Sequence, residues 1–331
     1  MRLLDKSRIN KILVVSLSNI GDVILTLPVV DVLKRDFPET KISIIIGQKA
    51  ESLLKGSPVF ENVYIYNKHQ PRLDTLKWIM RLRKERFDLA VDLRNSAIPF
   101  LIASKFRTPL HIGRKEKIHM KLKHLKRLKM VHPFEEEAQD RISLCIPPED
   151  RLYVQGCLQE KIGQDSKYVV MAPGSADQAK RWSTNGFARV ADAFRTEHNL
   201  KTIFLGDRND NQVVQAIQKL MITEAVNLCG QSSLIQTAEF VRRSELAVVN
   251  DSAVLHMASY LDRPVIALFG YTDPSKYGPW SKTGMFLKAS GRPVTMENTT
   301  QEKIDFIESI KPEDVLRYVR MNAGEIGFIP K

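Results

Sequence analysis

Cysteine is scarce in this chain: three residues, Cys145, Cys157 and Cys229, with no Cys-x-x-Cys pair. Their odd number argues against a disulfide framework and fits a reducing compartment. Histidine is equally sparse, seven residues, and no metal centre is expected. No apolar run approaches the roughly 18 residues that a membrane span needs. The longest are strand-sized, such as 42–46 and 247–249. At the N-terminus basic residues precede an apolar segment, but that segment is only about six residues long, too short for a signal peptide. It runs straight into Ser18-Asn19-Ile20-Gly21-Asp22 and reads as a first strand. The Gly-x-Gly-x-x-Gly of dinucleotide-binding folds is missing from that turn, which weakens a nicotinamide reading.

What remains is an ordinary globular composition, 43% hydrophobic and 27% charged, without wholesale disorder. At about 150 residues per domain, 331 residues predict two domains. The net charge of +12 favours polyanions, anionic headgroups or phosphorylated substrates without choosing among them. Its distribution is uneven, because residues 105–132 carry ten Lys or Arg against the single acid Glu116. Within that stretch 121–130 alternates basic and apolar residues, as suits a helix lying on an anionic membrane or a phosphorylated glycolipid. With only Phe106 and Phe134 as aromatics in reach, no nucleic acid is expected as partner. A plain solvated basic face is an equal alternative.

Continuous apolar runs that end in polar turns predict buried parallel strands at 11–16, 41–46, 63–66 and 89–93. Helix-spaced patterns at 22–37 and 73–84 alternate with them, so the class is an α/β layer fold. The pattern breaks at Cys145-Ile146-Pro147-Pro148, leaves 151–164 as boundary material, and restarts with strands at 168–171, 202–205, 246–249 and 265–269. Two similar halves, 1–160 and 161–331, are the simplest account. Pro312 opens a final amphipathic helix near 311–321, able to cross back to the first half.

In open α/β sheets ligands bind outside the carboxyl ends of strands, so the polar turns there are the candidates. Asp22 has two readings, an acid favourably placed at a helix N-terminus or a general base for an acceptor hydroxyl. Gly21 beside it admits a close substrate or a positive φ. In the second half Pro173-Gly174-Ser175 is followed by Lys180 and Trp182, a hydroxyl, amides and an ammonium suited to a phosphate, or a surface loop anchored by its tryptophan. Asn250-Asp251-Ser252-Ala253 opens a helix whose free amides form an anion site, or a plain helix cap. His256 reads first as a structural histidine and second as a ligand. Gly270-Tyr271-Thr272-Asp273-Pro274 brings a third turn to the same rim.

Taken in order, Ser18-Asn19-Ile20-Gly21-Asp22 with the helix through Pro28 to Phe37-Pro38, then Pro173-Gly174-Ser175 with Lys180-Arg181-Trp182, Asn250-Asp251-Ser252 with His256, and Phe269 through Pro274 resemble the heptosyltransferase family of bacterial lipopolysaccharide core synthesis, glycosyltransferase family 9. The resemblance implies two Rossmann-like domains of GT-B type facing across a cleft. The first would hold the acceptor and the second ADP-heptose. It also implies inverting, metal-independent transfer to a phosphorylated core or lipid A acceptor, with no cofactor beyond the nucleotide-sugar co-substrate. Asp22 would be the general base. Ser175, Lys180, Asp251, Ser252 and Ala253 would bind the donor, with Gln236, His256 and Thr272 as further donor candidates. Ser18, Asn19, Gly21, Lys121 and Lys123 would bind the acceptor. The family's glutamate near 235 is replaced here by Leu234-Ile235-Gln236. That departure keeps open a related transferase using a hexose or amino-sugar donor. A non-catalytic protein binding nucleic acid or anionic lipid is the rival from another class. A cytoplasmic location, with peripheral contact to the anionic inner membrane, is the expectation.

Overall fold

The computed structural model describes residues 6–16, 19–110, 116–138 and 140–321. Its contacts divide the chain into two compact units, Met1–Cys145 and Ile146–Lys331.

The first unit is built on a five-stranded parallel sheet. Strands β1 (Lys11–Val15), β2 (Lys41–Gly47), β3 (Asn62–Tyr66), β4 (Leu89–Asp92) and β5 (Phe106–Arg107) lie in the order β3-β2-β1-β4-β5. The apolar runs of β1 and β2 are continuous because helices cover both faces of a parallel sheet, and residues Ile12, Leu13, Val14 and Val15 have no exposed surface. Helix Ile20–Asp36 follows β1 and buries ten side chains. It continues through Pro28, which falls in its third turn rather than its first and removes one backbone donor from the helix.

The second unit carries a six-stranded parallel sheet. Here β6 (Tyr168–Ala172), β7 (Lys201–Phe204), β8 (Ala225–Asn227), β9 (Leu246–Asn250), β10 (Val265–Phe269) and β11 (Gly284–Lys288) lie in the order β11-β10-β9-β6-β7-β8. Alternate residues serve opposite faces, as the pleat requires. Val169, Met171, Val248 and Ile266 enter one core, and Tyr168, Val170, Val249 and Val265 the other. Residues 151–164 are no linker, since helix Pro148–Ile162 covers nearly all of them and packs on helix Leu234–Arg243 of this unit. The expected final helix is Pro312–Met321. Its described turns stay with the second unit, packing on helix Thr184–His198 with Val315 and Val319 buried in the core.

Both sheets therefore have the Rossmann-like form of a GT-B-type chain. Each also has one place where neighbouring strands leave in opposite directions along the sheet, between β1 and β4 in the first and between β6 and β9 in the second. Ligand crevices open at such points, at the carboxyl ends of the strands.

At the opposite end of the first sheet Asp88 joins three segments. Its carboxylate accepts the N–H groups of Asn10 (3.0 Å) and Lys11 (3.2 Å) and the ammonium of Lys105 (2.9 Å). Burial pushes this carboxyl up, but the Lys105 and backbone hydrogen bonds outweigh it and hold the group below its ordinary value. A depressed folded-state pKa stabilises the fold above the unfolded-state value and loses that contribution as pH falls through the folded one. Asp88→Asn should cost about 1–2 kcal/mol near neutrality, read as a lower urea midpoint. The gap to the wild type should close on acidification toward pH 3, whereas a gap independent of pH would show that the carboxylate charge contributes nothing.

Candidate active site

In the second unit three adjacent strands, β10, β9 and β6, end together and send their loops to one rim. The rim is organised by Asn250, the last residue of β9, which is fully buried. Its amide Nδ2 donates to the carbonyl of Pro173 (2.7 Å), and its Oδ1 accepts the backbone N–H of Trp182 (3.1 Å). One side chain thus clamps the end of β6 and the loop that carries Lys180. The indole is buried as well. Its Nε1 donates to the carbonyl of Ile310 (2.8 Å), and its ring lies against Phe187 and Gly186, where a Cβ would come 2.5 Å from the ring. The tryptophan is therefore the loop's anchor.

With the loop held this way, Lys180 Nζ stands 2.8 Å from Asp251 Oδ2, and the two side chains are 25% and 6% exposed. Asp251 holds the ammonium at the mouth of the crevice while itself being largely covered. Next to it the guanidinium of Arg181 donates through Nε (2.9 Å) and Nη2 (2.7 Å) to the carbonyl of Ser175, which fixes the turn after β6. Gly174 in that turn lies against Asp210, and a Cβ there would fall 2.1 Å from the carboxylate. Burial raises the Asp210 carboxyl above its ordinary value, with its hydrogen bond from the Asp207 N–H acting the other way. Tyr271, at the end of β10, donates its hydroxyl to Asp177 in the β6 loop, so the two loops are tied to each other. Burial and then Asp177 push the phenol well above its ordinary value.

Two hydroxyls at this rim, Ser252 Oγ and Thr272 Oγ1, are buried and have no hydrogen-bond partner among the described residues. Buried polar atoms are nearly always paired, so these two are available to a ligand. Ser252 caps helix Ala253–Tyr260 by position, but its side chain makes no capping bond. His256 in the same helix is buried and stacks on Trp280, ring centroids 5.6 Å apart, as a packed histidine does. Gln236 is engaged elsewhere: its Oε1 accepts the N–H of Ser233 (3.0 Å) and its Nε2 donates to Asp150 (2.8 Å). The nearest glutamate to the expected position, Glu239, is buried and paired with Arg242 at 2.6 Å.

In the first unit the corresponding crevice lies beyond β1 and β4. Ser18 lies outside the described residues. Asn19 is the N-cap of helix Ile20–Asp36 without a side-chain capping bond, and Gly21 is already helical, so the positive φ that its glycine permits is not used. Asp22 is half-buried in the first turn, and its carboxylate has no hydrogen bond or ion pair among the described residues. A side-chain cap is thus not what it provides. Where β4 ends in register with Val15 stands the buried Asp92, which accepts the N–H of Arg94 (2.8 Å) and of Ser96. Burial raises its carboxyl above the ordinary value. Behind Asp92 lies helix Met120–Lys129, whose Arg127 donates through Nε (3.1 Å) and Nη2 (2.9 Å) to the Asp92 carbonyl.

Much of the electropositive stretch is engaged within the first unit. Lys121 pairs with Glu137 at 3.0 Å and is only 13% exposed, Lys126 pairs with Glu116, and Arg127 is buried. Lys123 is exposed. Burial, helped by Arg94, Lys123 and Arg127, pushes His124 down to about 3, so it adds no charge. Among the described residues no group of three or more His, Cys, Asp or Glu is placed to hold a metal ion, and no helix is long and apolar enough to cross a membrane. Asp92, Arg127, Asp177, Asp210 and Trp280 are the site-lining or site-supporting residues that sequence reasoning missed.

Comparison with known proteins identifies relatives of the whole chain. The chain is 24% identical over 320 residues to lipopolysaccharide heptosyltransferase 3 of Escherichia coli K12, covering 89% of this chain and 93% of that protein. Among solved structures it resembles a glycosyl transferase family 9 protein from Veillonella parvula (TM-score 0.83, 24% identity, 96% and 97% covered). It also resembles the E. coli ADP-heptose LPS heptosyltransferase II (TM-score 0.73, 23% identity, 94% and 98% covered). At these identities the structural likeness is one of fold. The sequence model of glycosyltransferase family 9 (heptosyltransferase) matches residues 75–304, well over half of the chain. The chain belongs to glycosyltransferase family 9, the heptosyltransferase family.

Proposed function

We propose that this glycosyltransferase moves a heptose from ADP-heptose to a phosphorylated lipopolysaccharide core or lipid A acceptor, with inversion and without a metal ion. The observation that carries the reading is the Lys180–Asp251 pair at the crevice of the second sheet, beside two unpartnered hydroxyls, in a chain of this family. The donor named for the E. coli heptosyltransferase II, ADP-heptose, fits that chemistry. Its diphosphate would take the Lys180 ammonium, the Ser175 and Ser252 hydroxyls and the free amides in the first turn of helix Ala253–Tyr260.

On this reading the acceptor oxygen attacks the anomeric carbon as the bond from that carbon to the ADP oxygen breaks. Asp22 accepts the proton of the acceptor hydroxyl, and ADP departs with the bonding electron pair. Lys180 and the helix amides stabilise the charge that develops on the leaving diphosphate, the role that preorganised donors fill in such transition states. The carboxylate of Asp22, which has no hydrogen bond or ion pair among the described residues, suits a base. The reaction then runs on the cytoplasmic side of the inner membrane, where nucleotide sugars and a phosphorylated acceptor meet.

A second reading, a hexose or amino-sugar donor on the same fold, is favoured by the replacement of the family's glutamate near 235 by Leu234-Ile235-Gln236, where Gln236 is held by Ser233 and Asp150. It predicts turnover with a UDP- or GDP-sugar and none with ADP-heptose.

Two substitutions test the principal reading. Asp22→Asn should lower transfer by about 10²–10⁴-fold while leaving ADP affinity within about twofold of the wild type. Ordinary turnover in that variant removes Asp22 as the base. Lys180→Ala should weaken ADP binding by about tenfold or more and slow transfer as well, provided its melting curve shows the unit still folded. Unchanged affinity takes Lys180 out of the donor site.

A further inference from the structure

Helix Arg72–Lys84 of the first unit presents the wrong residues to water. Its core face is Trp78, Ile79 and Leu82, packed with Leu13 and Phe87. At about 100° per residue, Leu73, Leu76 and Met80 fall within about 60° of one another on the side away from that face. All three are exposed, by 73%, 57% and 49%. Scattered exposed apolar residues are ordinary, but three aligned on one helix face form a stripe. The short helix Ile98–Leu101 lies in contact with this one and adds the exposed side chains of Phe100 and Leu101.

The charges are arranged about the stripe. Arg72 and Arg83 flank it on one side, Lys77 and Lys84 on the other, with Arg81 next to the lysines, and the only acid in the helix is Asp74, 3.7 Å from Lys77. An apolar stripe with cations on both flanks is the pattern of a helix that lies in the headgroup layer of a bilayer. At thirteen residues the helix is about 20 Å long, too short to span a bilayer and long enough to lie on one. The same charges disfavour a second copy on this face, since two such helices would bring like charge together. The basic stretch at 105–132 is a poorer candidate, because Lys105, Lys121, Lys126 and Arg127 are engaged within the unit.

We infer that helix Arg72–Lys84 is a membrane-docking surface, which seats the first unit on an anionic phospholipid bilayer by inserting Leu73, Leu76 and Met80 between headgroups that the flanking cations bind. The inference rests on the helix alone and not on the sugar or acceptor proposed above.

The test is flotation of the full chain with vesicles of phosphatidylglycerol and phosphatidylethanolamine, and with vesicles of phosphatidylcholine, neither carrying any saccharide. The wild type should float with the anionic vesicles and not with the zwitterionic ones. The triple variant Leu73→Ser, Leu76→Ser, Met80→Ser should lose about tenfold or more in partitioning. Lys77→Gln and Lys84→Gln should each lose roughly fivefold. Leu76→Trp keeps an apolar ring on the stripe and needs no assumption about the fold of the triple variant. Its emission, with the wild-type signal subtracted, should be bluer with anionic vesicles than without. The inference is overturned if the wild type stays unbound, if the folded triple variant floats as the wild type does, or if the added emission of the Leu76→Trp variant is unmoved. It is equally overturned if light scattering shows a wild-type dimer that the triple variant loses, which would make a second copy the occupant.

Discussion

The rim of the second sheet depends on one side chain, the buried amide of Asn250. It uses a donor and an acceptor at once, holding the carbonyl of Pro173 and the N–H of Trp182. Both of those groups lie inside the protein, where an unpaired backbone polar group costs about 1–3 kcal/mol. The amide therefore couples the ends of two neighbouring strands to the loop between Ser175 and Trp182. Lys180 owes its position to that coupling, and Asp251 follows Asn250 directly in the chain. Any residue without both an N–H donor and a carbonyl acceptor at position 250 would leave the crevice with a loose lysine.

The Lys180–Asp251 pair is weak evidence for stability and good evidence for preorganisation. A largely buried carboxylate beside a lysine recovers little more than its own desolvation, so the pair adds little to folding. What it does is keep an ammonium at the strand ends with its side chain already ordered. The diphosphate proposed to bind there would meet a positive charge, helix amides and two hydroxyls without partners among the described residues, groups that need no rearrangement to accept it. In the first unit Asp22 stands without a partner among the described residues, while Asp92, at the carboxyl end of β4, is buried and ties down its own loop.

Much of this was legible in the sequence, for identifiable reasons. Interior parallel strands such as β1, β6 and β9 are continuous apolar runs that end in polar turns, so both their existence and the edge bearing the candidate site could be read directly. The strands that escaped were short or lay at sheet edges. β5 has two residues, and none of the three in β8 is fully buried. Helix Pro148–Ile162 looked like a linker because it buries only Val154 and Ile162, too few to make a stripe. Arg127 and Asp92, 35 residues apart, and Gly174 and Asp210, 36 apart, meet only because the sheet brings loops together, and no local pattern announces them. The charge run at 105–132 was visible as charge, but whether a lysine faces solvent or Glu137 is decided by tertiary packing.

The central claim is that the carboxyl edge of the second sheet holds the nucleoside diphosphate of the donor through Lys180, hydroxyls and helix amides. It is tested most directly by calorimetric titration of the whole chain with ADP, UDP and GDP, each with and without magnesium. One site per chain is predicted, with a preference for ADP and an affinity that magnesium does not raise. A stronger response to UDP or GDP, or binding that requires magnesium, would contradict it.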